Sequence, residues 1–162
     1  RLNRTIAQHL SGPKYSVSPG QVVVCLRNTR VGRIGIWNGM RGILEGATSL
    51  NRYHFAASIA FPDDSLRLRG TLCAPQFGRE KTFDRPETYA AEAGLKTAKW
   101  SDLGLLFDHG WALTCHKAQG SQYSHVVVVI EEGPWFWKNH GQQAQWLYTA
   151  ATRAVDRLTV IV

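Results

Sequence analysis

The sequence predicts an α/β protein in which a small β-barrel of short strands precedes a C-terminal segment with a parallel sheet. Three observations carry this. Val126 to Ile130 is an unbroken β-branched run without polar alternation, the mark of a strand covered on both faces. Gln142 to Val155 places Ala144, Leu147, Tyr148, Ala151 and Val155 on one helical face and is followed by the apolar stretch Leu158 to Val162, so strand, helix and strand follow one another. Upstream, Gly32, Gly35, Gly39, Gly42 and Gly46 interrupt the chain every few residues, leaving room only for short strands at a spacing that suits a small barrel.

Taken in order, Leu2, Ile6 and Leu10 stand at helical spacing before Ser11-Gly12-Pro13, which ends a short helix. Gln21 to Leu26, Ile34 to Trp37, Gly42 to Leu44 and Tyr53 to Phe61 read as strands, with Asn38-Gly39 as the tight turn of a hairpin. Pro62 to Ser65 forms a turn, and the alternation of Leu66-Arg67-Leu68-Arg69 predicts an edge strand with its arginines outward. Residues 75–100 read as a loop-rich excursion with one helical piece, Glu87 to Lys96. Asp108-His109-Gly110 marks the change to the α/β part, and Trp135, Phe136 and Trp137 follow the loop opened by Gly133-Pro134.

The 162 residues suit one core, or one compact unit carrying a small inserted one. No apolar run approaches the roughly 20 residues of a membrane helix, and no secretory leader is visible. The reading is a soluble, cytoplasmic chain that begins at an Arg and looks trimmed from something longer. Cys25, Cys73 and Cys115 are odd in number and widely spaced, which predicts reduced thiols rather than a disulfide framework or a metal site. The histidines show no ligand spacing, so no metal site is assigned. The net charge of +7 is uneven: residues 1–100 hold 15 basic against 7 acidic residues, residues 101–162 hold 4 against 5. Arg27, Arg30, Arg33 and Arg41 follow one another with no acid between them and with Trp37 inside the group. Guanidinium groups beside an aromatic ring suit phosphate contact and base stacking, and hence single-stranded nucleic acid. A basic solvated face is the plain alternative.

The loop ahead of Val126 gathers Thr114, His116, Lys117, Gln119, Gly120, Ser121 and Gln122, an equipped polar site with one glycine where backbone can approach a ligand. The stretch Leu113-Thr-Cys-His-Lys-Ala-Gln-Gly-Ser-Gln122 resembles motif V of superfamily 1 helicases in the RecD-like (exodeoxyribonuclease V alpha subunit-like) form. Trp146-Leu-Tyr-Thr-Ala-Ala-Thr-Arg-Ala154, running on to Val162, is similar to motif VI of the same family. Leu2-Asn3, Pro19 to Asn28 and Trp37 to Gly42 resemble that family's entry into an inserted SH3-like barrel. The resemblance implies a partial RecA-like, P-loop NTPase-type motor domain: residues 1–18 begin the second motor domain, 19–107 form the SH3-like barrel and its excursion, and 108–162 carry motifs V and VI.

The resemblance further implies that Arg153 is catalytic, reaching the γ-phosphate of ATP across the cleft between two motor domains. A guanidinium is a fixed, always-charged fork suited to developing phosphoryl charge. Gly120 and Gln122 line the nucleotide with Arg153. Relatives often carry glutamate where Gln122 stands, so the sugar contact here is neutral. Thr114 and His116 match positions that touch the single-strand backbone without reading bases. Read without the resemblance, Arg153 is a helix-surface residue paired with Asp156, and His116 a locally satisfied histidine at a helix start.

No Gly-x-x-x-x-Gly-Lys-Ser/Thr occurs in the chain. ATP and Mg²⁺ are therefore expected to be held mainly by an N-terminal RecA-like motor domain, and this chain alone to be inactive as a hydrolase. The function implied is 5′-to-3′ translocation on single-stranded DNA driven by ATP, in repair or recombination and with other subunits of such assemblies as partners. A non-enzymatic nucleic-acid-binding module and an RNA helicase remain open beside it. No nucleophile elbow supports a Ser121, His116 and Asp108 triad.

Overall fold

A computed structural model describes Leu2, Thr5, Ile6, His9 and residues 17–79, 81–130 and 140–162. The chain divides into two compact units, Arg1–Ala112 and Leu113–Val162. Leu2, Thr5, Ile6 and His9 are helical. The Ser11-Gly12-Pro13 stop and the Trp135-Phe136-Trp137 run lie outside the described residues.

In the first unit, strands β1 (Val22–Cys25), β4 (Arg41–Asn51), β5 (His54–Phe61), β6 (Leu66–Cys73) and β7 (Phe107–His109) form one antiparallel sheet in the order β6-β5-β4-β1-β7. β5 shows why the sheet folds: Phe55, Ala57, Ile59 and Phe61 are buried while the residues between them are half-exposed. Those four join Val23, Cys25, Ile36, Leu44, Leu68, Leu72 and Phe107 in one core, each large side chain contributing about 1.5–3 kcal/mol by leaving water. On β6 the alternation holds, with Leu68 buried between exposed Arg67 and Arg69.

The barrel expected here is an open sheet. Its two edges meet through an isolated bridge between Leu72 and Leu105, where Leu105 donates to Thr71 O at 2.8 Å and accepts from Cys73 N at 3.0 Å. The next residue, Leu106, accepts from Leu26 N at 2.9 Å, so this short segment stitches β6 to β1 without a continuous ladder. The segment begins directly after a helical turn that ends on Gly104, at φ 72° and ψ −163°, which leaves few residues to pair before β7.

Two turns differ from expectation. Asn38-Gly39 does form a tight turn, Met40 N bonding Trp37 O at 3.0 Å with Gly39 at φ 93°, but it joins strands of different sheets. The hairpin is instead β2 (Thr29–Val31) with β3 (Ile34–Ile36), whose two-residue loop starts at Gly32, φ 60°, as a type II′ turn requires. The excursion is more ordered than its composition suggests. Helix α1 (Pro86–Ala93) begins with proline and ends on Gly94 at φ 65°. With the single-turn α2 (Trp100–Leu103) it encloses a second core of Cys73, Phe83, Tyr89, Ala93, Leu103 and Leu106.

In the second unit, α3 (Cys115–Ala118), β8 (Tyr123–Val129), α4 (His140–Ala151) and β9 (Ala154–Ile161) follow in order, and β8 pairs parallel to β9. Two expectations are corrected. The helix stops at Ala151, so Val155 belongs to β9, because Thr152-Arg153 turns the chain into the strand. On β8 only Val128 is buried, while Val127 is half-exposed, so the apolar run is not covered on both faces.

Candidate functional site

The loop between α3 and β8 is built from backbone bonds. Thr114, extended at φ −68° and ψ 151°, caps α3 with its carbonyl, which accepts from Lys117 N at 2.9 Å and Ala118 N at 3.1 Å. Its hydroxyl makes no cap bond, so the exposed Thr114 and His116 present free polar tips. Gly120 then sits at φ 83° with nothing within 4 Å of where a Cβ would lie. Backbone that any other residue adopts only under strain is here exposed and unobstructed, the condition for close approach of a ligand. Gln122 is exposed beside it.

Arg153 closes this corner from the other side. The turn after α4 is set by Thr152 N to Tyr148 O at 3.0 Å and Arg153 N to Ala150 O at 3.2 Å, and Tyr123 N bonds Arg153 O at 2.8 Å. The guanidinium points inward: Nε donates to Thr149 O at 3.1 Å, Nη1 to Ser121 O at 3.3 Å and Nη2 to Thr152 Oγ1 at 3.1 Å. The paired-with-Asp156 alternative is thereby corrected, since the partners of Arg153 are carbonyls and a hydroxyl. A guanidinium carries five N–H donors, and these three bonds leave one on each terminal nitrogen. The turn after α4 is thus fastened to the loop between α3 and β8 at Ser121, next to Gly120. Cys115 Sγ contacts Trp146 O at 3.6 Å; burial raises its thiol pKa, and Arg153 opposes that shift. The thiol therefore stays protonated at neutral pH.

The basic group lies in the first unit. Arg27, Arg30, Arg33 and Trp37 are exposed, whereas Arg41 is half-buried opposite Val24 in the β1–β4 ladder. Arg30 and Arg33 ride on the β2–β3 hairpin. Asn38 N donates to Asn28 Oδ1 at 2.7 Å, so the ends of the hairpin, and with them Arg27 and Trp37, are drawn together. Among the described residues no carboxylate pairs with Arg27, Arg30 or Arg33, and their charge is uncompensated locally. Sequence reasoning gave no separate role to Asn28, Thr149 or Thr152, and named Ser121 only as a member of the polar loop. Three of the four act through a carbonyl or a hydroxyl that carries no distinctive pattern in the sequence, and the Ser121–Arg153 contact spans 32 residues.

Among the described residues no three His, Cys, Asp or Glu side chains gather to hold a metal ion, and no helix is long and apolar enough to cross a membrane. Cys25, Cys73 and Cys115 form no disulfide with one another. Cys73 is pushed up to about 11, mainly by burial.

His109, at the end of β7, has 1 % of its surface exposed and packs edge-on to Phe77 at 5.3 Å, with neither ring nitrogen hydrogen-bonded. Burial lowers its pKa, only partly offset by Asp108. The folded state thus binds this proton less well than the unfolded state. Stability is retained above the usual histidine value of 6.5 and is lost as pH falls from there through the depressed folded value, at up to about 1.4 kcal/mol per pH unit. Urea denaturation between pH 7.5 and 5 should show this slope, and His109→Phe should flatten it. An unchanged slope in the variant would assign the acid sensitivity to other groups.

Residues 109–161 match the family described as UvrD-like helicase C-terminal domain, a segment that contains the loop between α3 and β8, α4 and Arg153. A stretch of 55 residues is 44 % identical to an uncharacterized protein of Methanocaldococcus jannaschii, covering 34 % of this chain and 4 % of that protein. The chain therefore spans a small part of the length of the relative it matches. The family match supports a superfamily 1 helicase C-terminal part at the end of a mixed α/β chain.

Proposed function

We propose that this chain is the C-terminal part of an ATP-dependent DNA helicase of the RecD-like branch of superfamily 1, coupling ATP hydrolysis to 5′-to-3′ translocation on single-stranded DNA. The observation that carries the reading is the bond from Arg153 to Ser121 O, which brings the motif VI arginine to the open backbone at Gly120. One terminal N–H on each side of the guanidinium remains for phosphate oxygens. In this reading Gly120 admits the nucleotide, Gln122 makes a neutral contact to its sugar, and Thr114 and His116 contact the strand backbone.

An N-terminal RecA-like motor domain supplies the phosphate loop and the ligands of Mg²⁺, which neutralises charge on the β- and γ-phosphates. Closing of the two domains on ATP shifts their grip on the strand. The five-stranded sheet is assigned as the inserted SH3-like module, with Arg27, Arg30, Arg33, Trp37 and Arg41 toward DNA. The protein is placed in the cytoplasm, in repair or recombination, alongside other subunits of such assemblies.

The DNA part of the reading is tested with this chain and a fluorescent oligonucleotide. With three or four phosphates neutralised, log affinity should fall against log salt with a slope of about −2 to −3, at ~0.7 per phosphate for a single strand. Changing Arg27, Arg30, Arg33 and Arg41 together to Ala should flatten it. A salt-independent affinity, or one unchanged in the variant, would remove this face from the DNA path. The compactness of the first unit favours a second reading, a binding module whose work is done by the basic face alone; ATP turnover separates the two.

A further inference from the structure

The basic face holds a feature that charge alone does not require. Arg27 Cζ lies 3.4 Å from the centroid of the Trp100 ring, a stacking distance for a planar guanidinium on an aromatic face. Trp100 is 38 % exposed and Arg27 is exposed, so the guanidinium covers part of the indole and turns its own other face to solvent. A second flat surface lies nearby. Trp37 is 60 % exposed, and its ring runs alongside Gly35, where a Cβ would come within 3.4 Å of it.

The backbone sets the two surfaces on one short segment. Cys25 bonds Met40 through its N–H at 2.9 Å and Gly39 through its carbonyl at 2.8 Å, Leu26 N bonds Leu106 O at 2.9 Å, and Asn28 accepts from Asn38 N at 2.7 Å. Residues 25–28 are thus flanked by the Trp37 turn and by the segment that follows Trp100. Among the described residues no carboxylate forms an ion pair with Arg27.

We infer that the Arg27–Trp100 stack and the Trp37 ring are two platforms on which bases of a single nucleic-acid strand stack, with Arg30 and Arg33 meeting its phosphates. The inference rests on the nucleic-acid reading above and adds the side chains that receive the bases, Trp100 through Arg27 and the Trp37 ring, since stacking requires unpaired bases. Trp100 holds the guanidinium flat, so that a base landing on Arg27 extends an existing stack instead of ordering a mobile side chain. Duplex DNA offers phosphates but no free base faces, and gains only the charge.

The test compares a thymine oligonucleotide, an abasic strand of equal length and a duplex of the same length, each titrated into the whole chain at fixed salt. Wild type should bind the thymine strand about tenfold or more tighter than the abasic strand, given the usual stacking contribution. Trp100→Leu and Arg27→Lys should each lose about 5- to 100-fold toward the thymine strand, while the abasic affinity stays within about twofold. Arg27→Lys keeps the charge and the surface position, so it stands as evidence even if Trp100→Leu melts early. Equal binding of thymine and abasic strands, a duplex bound as tightly as the single strand, or both variants behaving as wild type would overturn the platforms while leaving a charged face. No binding of any strand by wild type would overturn the nucleic-acid reading with it.

Discussion

On the proposed function, Arg153→Lys in the full-length protein is expected to cut ATP turnover by about 10³-fold, a barrier increase near 4 kcal/mol, as for other arginines that meet a transferring phosphoryl group. Lysine keeps one charge but cannot hold Thr149 O, Ser121 O and Thr152 Oγ1 at once while presenting further donors to phosphate. The cost to folding is larger than a surface ion pair would give: three part-buried or exposed hydrogen bonds are lost, together worth about 1–3 kcal/mol. A melt and a strand titration of the same variant separate these effects. Single-strand affinity within about threefold of wild type, with turnover down by 10³, assigns the loss to chemistry. Turnover within a factor of about three of wild type would take Arg153 out of the site.

Gly104→Ala should be strongly destabilising, with a close backbone contact and a positive φ acting together. A Cβ there would lie 2.7 Å from Thr71 O and 3.3 Å from Thr71 C, on a backbone at φ 72°. The contact is with main chain that accepts the Leu105 N–H at 2.8 Å, so relief requires moving the one bridge between the sheet's edges. Backbone strain of about 1–3 kcal/mol and a similar overpacking cost together give a loss of about 2–5 kcal/mol. Gly94→Ala is the control: φ is 65°, but nothing lies within 4 Å, so only the left-handed backbone is penalised, by about 1 kcal/mol. Urea midpoints should order the variants Gly94→Ala above Gly104→Ala. Equal losses would show that the Thr71 contact yields at no cost.

These two residues mark where the sequence could and could not be read. Phe55 to Phe61, Leu66 to Arg69 and the strand–helix–strand order after Leu113 were legible because period-2 alternation and β-branched runs are local properties. β4 was read only as Gly42 to Leu44, although it continues to Asn51 through bulges at Leu44/Gly46 and Ser49/Asn51. Gly46, Thr48 and Ser49 have the composition of a turn, and the β5 ladder overrides it. The order of residues 75–100 was hidden because Phe83 and Tyr89 bury against Cys73 and Leu103, contacts that no local period announces. The Thr-Arg-Ala triplet pointed to Arg153, but the carbonyls that fix its guanidinium carry no side-chain signature. Trp100 was passed over for the same reason: its stacking partner lies far away along the chain.

Phosphate release by the full-length protein, measured at steady state with and without saturating single-stranded DNA, tests the central claim most directly. Hydrolysis that depends on ATP and rises severalfold or more on adding single strands is the expected result, because one chain then carries both the Arg153 corner and the strand contacts. Hydrolysis that is absent, or that is indifferent to single strands, would contradict the account and leave the basic face as a binding module.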